Sequence, residues 1–325
     1  MQNLRPRIKS VWSPDMYHGW SRQKNYFEGW YFKLVDPTER FAFAVIPGIS
    51  MASDGKKHAF IQVLDGKSCN AYYYEYEAKA FLPHRDKFEL RLEGNLFSAE
   101  RVVLDLPILK GELKLSNRTP WPKSYGAPGI MGWYSFVPFM QCYHGVVSMD
   151  SDLRGQINVG EAGEAVSFDG GKAYIEKDWG TSFPRSWIWM QSNHFDRPRT
   201  SFMFSLAHIP WLGSYFNGFI GGLWLEDKLY KFATYTGAKV NGKTQGQTAD
   251  ITVSQKNMTL NIHAEHKGGG ALVSPIQGTM KGKVDESLQS TIDIELLIDG
   301  KTIFRGTGRH AGLELAGDIE GLLKA

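Results

Sequence analysis

Short runs in which apolar and polar residues alternate are the dominant pattern of this chain. Residues 88–92 and 260–265 are two clear examples. A period of two is typical of a β-strand with one buried face. Dipeptides that favour tight hairpin turns separate such runs, and they are Asp65-Gly66, Asp169-Gly170, Asn241-Gly242 and Asp299-Gly300. Residues 313–323 are the best helical candidate, so the pattern predicts an all-β chain with few short helices.

Many short strands with regularly spaced turns indicate antiparallel sandwiches or barrels. Closing a sheet into a barrel also removes the exposed edges that a strand-rich chain would otherwise present. We place a boundary after Arg185 and expect two β-rich domains, residues 1–185 and 186–325. Residues 116–138 interrupt the rhythm with prolines, glycines and aromatic residues, which indicates an ordered loop that covers a site.

Composition narrows the functional classes. The 325 residues are 42% hydrophobic and 22% charged, with a net charge of +3. The basic residues form no block, which argues against nucleic-acid binding. Only Cys69 and Cys142 are present, which fits a reduced interior better than a disulfide-stapled secreted domain. Residues 1–7 lack the apolar stretch of a signal peptide, and no apolar run is clean enough to span a membrane. We therefore expect a soluble cytoplasmic protein.

Two motifs with chemical associations are rejected. Residues 237–244 match the phosphate-binding loop, but that mechanism needs a helix at the end of the loop. Here a strand pattern follows, and the Asn241-Gly242 pair is more naturally a hairpin turn. His263 and His266 are three residues apart, so on a strand they point to opposite faces and cannot share a metal ion.

Two aromatic segments carry polar side chains of interest. In residues 27–33, Glu28 and Trp30 share one face of a predicted strand, so Glu28 is either a pocket acid or, more simply, a residue of a barrel rim. Residues 132–145 are too apolar for an ordinary exposed loop, which predicts either a structural collar or a lid over an apolar ligand. The aromatic and ionisable residues of interest there are Trp133, Tyr134 and His144.

Residues 173–195 hold the densest combination of carboxylates and indoles. Asp178 follows Glu176 at strand spacing, and Trp179 is adjacent. A carboxylic acid desolvated by indole rings can donate a proton near neutral pH, and indole faces stabilise a nearby cation. The simpler alternative, which composition alone favours, is that the tryptophans are core and the Glu-Lys-Asp trio is a structural ion pair. Lys177 points to the opposite strand face from Asp178 and is expected to be a surface charge.

A wall of aromatic and amide side chains is predicted on the next strand. Four residues at alternate positions share one face, and they are Trp187, Trp189, Gln191 and Asn193. Two flat apolar platforms followed by two amides suit a ligand with a long apolar body and a polar head. The same pattern is equally compatible with the packed interior of a barrel that has a polar end.

Taken together, these clusters resemble the tocopherol cyclase family. The resemblance covers nearly the whole chain, and its main motifs are Tyr17-His18-Gly19, 27–33, Gly132-Trp133-Tyr134, His144-Gly145, 176–180, 187–193, Gly221-Gly222-Leu223-Trp224 and Ala311-Gly312-Leu313-Glu314. It implies two lipocalin-like antiparallel β-barrel domains, a distant relation to carotenoid hydratases, and no metal or organic cofactor. Plant and cyanobacterial members of the family close the chromanol ring of vitamin E from a prenylated benzoquinol.

The resemblance also implies a mechanism and a set of site residues. An acid protonates a trisubstituted alkene, and the phenol oxygen captures the resulting tertiary carbocation. Asp178 is the expected acid, and Glu28 or His144 is expected to take the phenolic proton. Indole rings would stabilise the cation, and amides would bind the head group. The expected substrate-binding residues are Trp30, Trp133, Tyr134, Glu176, Trp179, Trp187, Trp189, Gln191 and Asn193.

Several functions remain open at this point. A cofactor-independent cyclase, formally an isomerase or intramolecular lyase, would act on a prenylated quinol or related isoprenoid. With water in place of the phenol, the same site would make an isoprenoid hydratase. A lipocalin-like carrier would bind the same apolar small molecules without catalysis, and a structural or protein-binding role would require a filled barrel. Peripheral membrane contact is compatible with a lipid ligand, and the oligomeric state is left open.

Overall fold

The computed structural model describes residues 9–323. Residues 1–8 and 324–325 lie outside the described residues. The expectation that residues 1–7 form no signal peptide therefore concerns residues that the structure does not describe. The described chain is all-β and forms two antiparallel sheets, one of twelve strands and one of ten. The predicted fold class is confirmed at this level.

The first sheet contains the strand on which the candidate site is built. Its strands are β1 (Tyr26–Val35), β2 (Ala42–Met51), β3 (Lys57–Asp65), β4 (Ala71–Glu77), β5 (Phe81–Pro83), β6 (Glu89–Leu92), β7 (Asn95–Ser98), β8 (Arg101–Asp105), β9 (Leu109–Ser116), β10 (Cys142–Val159), β11 (Glu164–Ser167) and β12 (Lys172–Gly180). Their order along the sheet is β4-β3-β2-β1-β12-β10-β9-β8-β7-β6-β5, and β11 pairs with β10. Strand β12 therefore lies between β1 and β10.

The second sheet takes up most of the rest of the chain. Its strands are β13 (Trp187–Ser192), β14 (Thr200–Trp211), β15 (Ser214–Leu225), β16 (Lys228–Ala233), β17 (Lys239–Gln245), β18 (Thr248–Gln255), β19 (Met258–Glu265), β20 (Gly270–Ile276), β21 (Thr279–Ile298) and β22 (Lys301–Ala316). Their order is β16-β15-β14-β13-β22-β21-β19-β18-β17, and β20 pairs with β21.

Helical structure is sparse, as the alternating pattern predicts. An α-helix spans Ile319–Leu323, and short 3₁₀ helices span Gly19–Ser21, Ala78–Ala80, Gly132–Phe136 and Thr234–Thr236. The helix expected at 313–323 is therefore right only at its end, because residues 313–316 belong to β22. Within residues 9–323, no helix is long and apolar enough to cross a membrane.

Three of the four predicted turns are confirmed, and the fourth is wrong. Turns begin at or next to the three aspartate–glycine pairs, which are Asp65-Gly66, Asp169-Gly170 and Asp299-Gly300. Asn241 and Gly242 instead lie inside β17, where Gly242 pairs with Ile251. A Cβ atom at Gly242 would lie 2.3 Å from the Asp250 carbonyl oxygen, so the glycine permits a close approach between strands rather than a turn.

The chain divides into two compact units, each with its own apolar core. The first unit contains the residues up to Asp65, Ala71–Phe183 and Val273–Lys283, and the second contains Gly66–Asn70, Pro184–Leu272 and the residues from Val284 onward. Neither unit is one continuous segment. Each includes a short stretch that is flanked in sequence by residues of the other unit, and this was not predicted. The domain boundary between residues 185 and 186 stays a prediction.

Strand β12 has two chemically different faces. Ala173, Ile175 and Trp179 belong to the apolar core of the first unit, so the odd-numbered residues of the strand face that core. Because side chains alternate along a strand, Glu176 and Asp178 lie on the opposite face. Asp178 and Trp179 are themselves strand residues. The strand thus separates two groups of ionisable side chains.

Candidate active site

The first group, called here the core-side cluster, consists of His18, Tyr26, Glu28 and Lys177. Its centre is an ion pair between Glu28 and Lys177, whose Oε1 and Nζ atoms lie 2.5 Å apart. The pairing of β1 with β12 sets Glu28 opposite Trp179 and Trp30 opposite Lys177. Both charged side chains are fully buried, so the expectation that Lys177 is a surface charge is wrong.

The Glu28 carboxylate is saturated with hydrogen-bond donors. The backbone N–H of His18 lies 2.9 Å from Oε1, and the backbone N–H of Gly19 lies 3.1 Å from Oε2. The Tyr26 hydroxyl also donates to Oε2. With Lys177 these groups compensate a carboxylate that would otherwise be costly to bury. Little acceptor capacity is left for a substrate.

The Lys177 ammonium is equally well satisfied. It donates to the carbonyl oxygens of Pro14, at 3.1 Å, and Met16, and its Nζ lies 2.6 Å from His18 Nδ1. It also lies 4.8 Å and 4.6 Å from the ring centroids of Trp30 and Trp179. Trp179, which was expected to stabilise a substrate cation, and Trp30, which was expected to bind substrate, therefore both contact a cation of the protein itself.

The protonation states of this cluster follow from burial and mutual contact. Burial lowers the pKa of Lys177 to about 8, although Glu28 opposes that shift. Burial would raise the pKa of Glu28, but Lys177 and then His18 hold it below its usual value. Burial and the Lys177 charge lower the pKa of His18, so its ring is neutral at neutral pH. Neutral His18 can accept from Lys177 through Nδ1 and donate to the Ser10 carbonyl, 3.0 Å from Nε2.

The second group, called here the far-side cluster, consists of His144, Tyr174, Glu176 and Asp178. His144 on β10 lies directly opposite Asp178 on β12, and the distance from Nδ1 to Oδ1 is 2.8 Å. The other imidazole nitrogen, Nε2, lies 3.3 Å from Glu176 Oε2. The Tyr174 hydroxyl donates to the same oxygen at 2.6 Å. One imidazole thus lies between two carboxylates.

Burial differs between the two carboxylates. The Glu176 side chain is 5% exposed, whereas that of Asp178 is 26% exposed. The sequence analysis expects the acid to be a carboxylate buried among indoles, but Asp178 is the more open of the pair. Trp179 lies on the other face of the strand, so it does not enclose Asp178. The fully buried carboxylate of the two clusters is Glu28, for which a pocket acid and a barrel-rim residue were both open and the rim was the simpler expectation.

The charge of the far-side cluster is set by its carboxylates. Burial alone would lower the pKa of His144, but Glu176 and Asp178 outweigh it and raise the pKa to about 10. His144 is therefore an imidazolium at neutral pH. Burial, with Asp178 and Glu176, raises the pKa of the nearby Cys142 thiol well above its usual value, so Cys142 is a poor nucleophile.

His144, Glu176 and Asp178 are also the kinds of residue that ligate metal ions. One ligand atom from each lies within 4.8 Å of the others. Both imidazole nitrogens already face carboxylates, however, so an ion would have to replace one of these contacts. The expectation that the protein needs no metal or organic cofactor stays a prediction.

The aromatic segment 132–145 is partly exposed to solvent. Trp133 and Tyr134 belong to the 3₁₀ helix Gly132–Phe136, and their rings stack with centroids 4.1 Å apart. Met131 is buried and its Sδ lies 3.1 Å from the backbone nitrogen of His144. The expectation that the whole segment packs on something is wrong for Trp133, because that side chain is about half exposed.

The predicted ligand wall belongs to the second unit. Ile188 and Met190 lie in the core of that unit, so the alternate residues of β13 occupy its other face. Trp187 Nε1 donates to Glu314 Oε2 at 2.5 Å. The Gln191 side chain is fully buried, and neither its nitrogen nor its oxygen has a hydrogen-bond partner. Trp189 and Asn193 are buried as well.

Sequence reasoning missed four members of the two clusters. Tyr26 and Tyr174 lie two residues before Glu28 and Glu176, so period-two spacing could have placed them beside those carboxylates. Lys177 was assigned to the correct face but to the wrong environment, because both faces of β12 are buried there. His18 comes from a segment 159 positions away from Lys177, and no local pattern indicates that contact.

Two plant proteins are similar in sequence. The chain is 26% identical over 201 residues to a probable chloroplastic tocopherol cyclase of Oryza sativa subsp. japonica, covering 57% of this chain and 42% of that protein. It is 33% identical over 113 residues to a chloroplastic tocopherol cyclase of Zea mays, covering 33% of this chain and 23% of that protein. The matches therefore span less than half the length of these relatives.

Solved structures share the fold at low sequence identity. CghA has a TM-score of 0.57 at 11% identity, with 90% of this chain and 89% of that chain covered. A putative AttH from Nitrosomonas europaea has a TM-score of 0.51 at 13% identity, with 89% and 92% covered. At such identities the likeness supports the fold alone.

A family model also matches the chain. The model described as tocopherol cyclase-like matches residues 112–317, which is well over half of the chain. All four residues of the far-side cluster lie within that region, whereas His18, Tyr26 and Glu28 of the core-side cluster precede it. The resemblance found from the motifs is confirmed: the chain belongs to the tocopherol cyclase-like family.

Proposed function

We propose that this protein is a cyclase that acts on a prenylated quinol or a related isoprenoid. The observation that carries the proposal is the contact of Asp178 with the His144 imidazolium, on strands inside the region that matches the family. A carboxyl group that is partly open and held by a charged histidine is suited to proton transfer. Two plant relatives are named tocopherol cyclases, which supports the substrate class.

Asp178 is the proposed proton donor because it is the more exposed carboxylate of the far-side cluster. An imidazolium with a pKa of about 10 is too weak an acid to protonate an alkene efficiently. We therefore propose that His144 orients Asp178 and does not itself donate the proton. Glu176, held by Tyr174, keeps the histidine charged.

The proposed reaction is an isomerisation in which all atoms balance. The Asp178 proton forms a C–H bond at the less substituted alkene carbon and leaves a tertiary carbocation. The quinol oxygen forms a C–O bond with that carbocation and loses its own proton to the Asp178 carboxylate, which restores the acid. The product has the mass of the substrate.

Glu28 is not part of the proposed chemistry. Its carboxylate is saturated by protein donors, and it lies on the core side of the sheet, away from Asp178. Trp30 and Trp179 bind the Lys177 ammonium, so we propose that they stabilise the fold rather than a substrate cation. The role of proton acceptor, expected for Glu28 or His144, thus passes to the Asp178 carboxylate that the first proton transfer leaves behind, because the His144 imidazolium already carries a proton on each ring nitrogen.

Three finer features belong to the same proposal. Each unit has its own apolar core and an antiparallel sheet of many strands, which supports the proposal of a lipocalin-like barrel in each unit. A cytoplasmic location stays part of the proposal. Trp133 and Tyr134 remain proposed ligand-binding residues of the first unit. The wall of Trp187, Trp189, Gln191 and Asn193 remains a proposed ligand-binding surface of the second unit, considered by itself.

The test is a turnover assay with a prenylated benzoquinol, followed by mass spectrometry. Ring closure leaves the mass unchanged, whereas hydration adds the mass of one water. Asp178→Asn should abolish product and retain ligand binding. Asp152→Asn is the matched control, because Asp152 is also a partly exposed strand carboxylate, paired with Lys172 at 2.8 Å. Full activity in Asp178→Asn would contradict the assignment.

A non-catalytic carrier is the second candidate, and Gln191 favours it. A fully buried amide without hydrogen-bond partners is costly, and a hydroxyl or carbonyl group of a ligand would satisfy it without any reaction. If the protein is a carrier, Gln191→Leu should weaken ligand affinity. No turnover should be detected in the unchanged protein or in any variant. Tight binding of a prenylated quinol without product formation would favour this candidate.

A further inference from the structure

A short segment before β1, called here the strap, consists of residues 14–18 and belongs to no helix or strand. Three successive backbone carbonyls of the strap, those of residues 14, 15 and 16, accept hydrogen bonds from side chains of the sheet. Lys177 donates to the first, at 3.1 Å, and to the third. The Trp30 indole donates to the second at 2.9 Å. These contacts join the strap to β1 and β12 through side chains.

Contacts at the end of the strap fix its position further. The backbone N–H groups of His18 and of the following Gly19 donate to the Glu28 carboxylate. The His18 ring stacks on Trp179, with the ring planes 9° apart. Tyr17 is buried and belongs to the apolar core of the first unit. The buried charges of the core-side cluster therefore anchor the strap to the sheet.

The strap also packs on β10, at the residue that follows His144. That residue, Gly145, lies opposite Lys177 in the pairing of β10 with β12. A Cβ atom at Gly145 would lie 3.2 Å from Pro14 Cβ and 3.3 Å from the Trp179 ring. Both distances are shorter than an ordinary van der Waals contact between carbon atoms, so a side chain at this position would displace the strap or the strand. The glycine therefore allows the strap to lie directly against β10.

The strap and the far-side cluster contact opposite faces of β10. His144 and Gly145 are neighbours in one strand, so their side-chain positions lie on opposite faces of the sheet. His144 meets Asp178 across the pairing of β10 with β12, so the backbone position of β10 sets the distance between these two side chains. Buried Met131 contacts the same stretch of backbone, with its Sδ 3.1 Å from the backbone nitrogen of His144. The backbone at residues 144 and 145 is thus held by contacts beyond the strand pairing.

We propose that the strap is a positioning element, which fixes the backbone of β10 so that His144 meets Asp178. Pro14 and Gly145 are its positioning residues, and the core-side cluster is its anchor. A misplacement of about 1 Å at a catalytic group lowers a rate by up to about a hundredfold, so a displaced strap would impair proton transfer. The catalytic part of this inference rests on the proposed function, whereas the environment of His144 is measurable without turnover. The competing role for the strap is to seal the apolar core only.

The test disturbs the contact between Pro14 and Gly145 and then restores it. Gly145→Ala adds a methyl group that meets Pro14, and it should lower kcat by at least about tenfold with little change in KM. It should also lower the pKa of His144, about 10 in the unchanged protein, by at least about 1, because the contact with Asp178 lengthens. An NMR titration of the imidazole ring measures this pKa. Gly145→Ala/Pro14→Gly removes the ring that the methyl group meets and should recover most of both losses.

Gly126→Ala is the matched control, because a Cβ atom at Gly126 would meet nothing within 4 Å. It should leave kcat and the pKa of His144 unchanged. If Gly145→Ala does not fold, Pro14→Gly alone is the second variant, and the loosened strap should lower the pKa of His144 in the same direction. A Gly145→Ala protein that is less stable but keeps the pKa of His144 would show that the strap only seals the core, and would overturn the proposal.

This inference and the proposed function fail in different ways. Absence of turnover in the unchanged protein would contradict the proposed function, and the NMR titration would still decide whether the strap positions His144. A pKa of His144 that stays the same in Gly145→Ala and in Pro14→Gly would overturn the inference, whatever the turnover of the unchanged protein.

Discussion

Strand β12 carries an ionisable cluster on each face, and the two clusters differ in how completely their charges are satisfied. On the core side, Glu28 and Lys177 are fully buried and every acceptor and donor meets a protein partner. On the far side, the His144 imidazolium lies between Glu176 and Asp178, and Asp178 is partly open. A saturated cluster can hold a fold together but has nothing left to offer a substrate. An open one can exchange a proton.

A structural residue and a proposed catalytic residue lie side by side in the sequence. Lys177 and Asp178 are adjacent in the chain, yet one belongs to the structural cluster and the other to the proposed acid. The indoles of Trp30 and Trp179 belong with the lysine. Cation-binding aromatic rings near a carboxylate are therefore not by themselves a sign of carbocation chemistry, since a buried lysine can be the cation.

Replacing Lys177 should give the largest effect on stability. Lys177→Met would leave the Glu28 carboxylate buried without its counter-ion, and breaking a buried pair in this way costs about 3–5 kcal/mol. Urea unfolding should show that loss. Adding Glu28→Gln to Lys177→Met should restore part of the stability. A single variant as stable as the unchanged protein would contradict the structural role of the core-side cluster.

His144→Gln should have its largest effect on activity. We expect a loss of turnover of about a hundredfold or more, because the proposed acid would lose the group that orients it. The change in unfolding free energy near pH 7 should be smaller than that of Lys177→Met, since His144 is partly accessible. Turnover measurements next to urea unfolding decide this. A variant with unchanged turnover and lost stability would move the far-side cluster to the structural side of the comparison.

The stability that His144 gives the far-side cluster should depend on pH. The folded-state pKa of His144, about 10, lies above its ordinary value of 6.5. The stabilisation is therefore fully present below pH 6.5 and is lost as the pH rises through about 10. Relative to His144→Gln, the unchanged protein should lose more than about 1.4 kcal/mol of unfolding free energy across this window. A difference between the two proteins that stays constant with pH would show that the carboxylates do not raise the pKa of His144.

Tyr174→Phe should have the smallest effect. It removes one hydroxyl from Glu176 Oε2 and should cost about 1 kcal/mol of stability. Turnover should fall by less than in His144→Gln, because Glu176 keeps its contact with the histidine. Thermal unfolding and the turnover assay give both values. A loss of turnover as large as that of His144→Gln would mean that Tyr174 itself takes part in proton transfer.

Much of the architecture could be predicted from alternation and turn residues. The all-β class, the scarcity of helices and the position of three turns follow from period-two runs and from local turn chemistry. The environment of Lys177 could not be predicted, because alternation assigns a face but not what covers it. The turn predicted at Asn241-Gly242 was wrong for a related reason. A glycine permits a close approach between two strands as well as a turn.

The candidate site was predicted only in part. Asp178, Glu176 and His144 were all named from the sequence, but their mutual contact depends on the register between β10 and β12. The motif at Tyr17-His18-Gly19 was noted only as part of the family resemblance. Its role emerges from the fold, which brings His18 onto the Trp179 ring at 4.2 Å between centroids.

The central claim is that Asp178 delivers a proton to an alkene, and a reaction in D₂O tests it most directly. The protein would be incubated with a prenylated benzoquinol, and the product analysed by mass spectrometry after exchangeable deuterons are washed out. The account predicts a cyclised product that carries one carbon-bound deuterium in the unchanged protein and no product in Asp178→Asn. A deuterated product formed equally well by Asp178→Asn, or an unchanged protein that binds the quinol and forms no product, would contradict it.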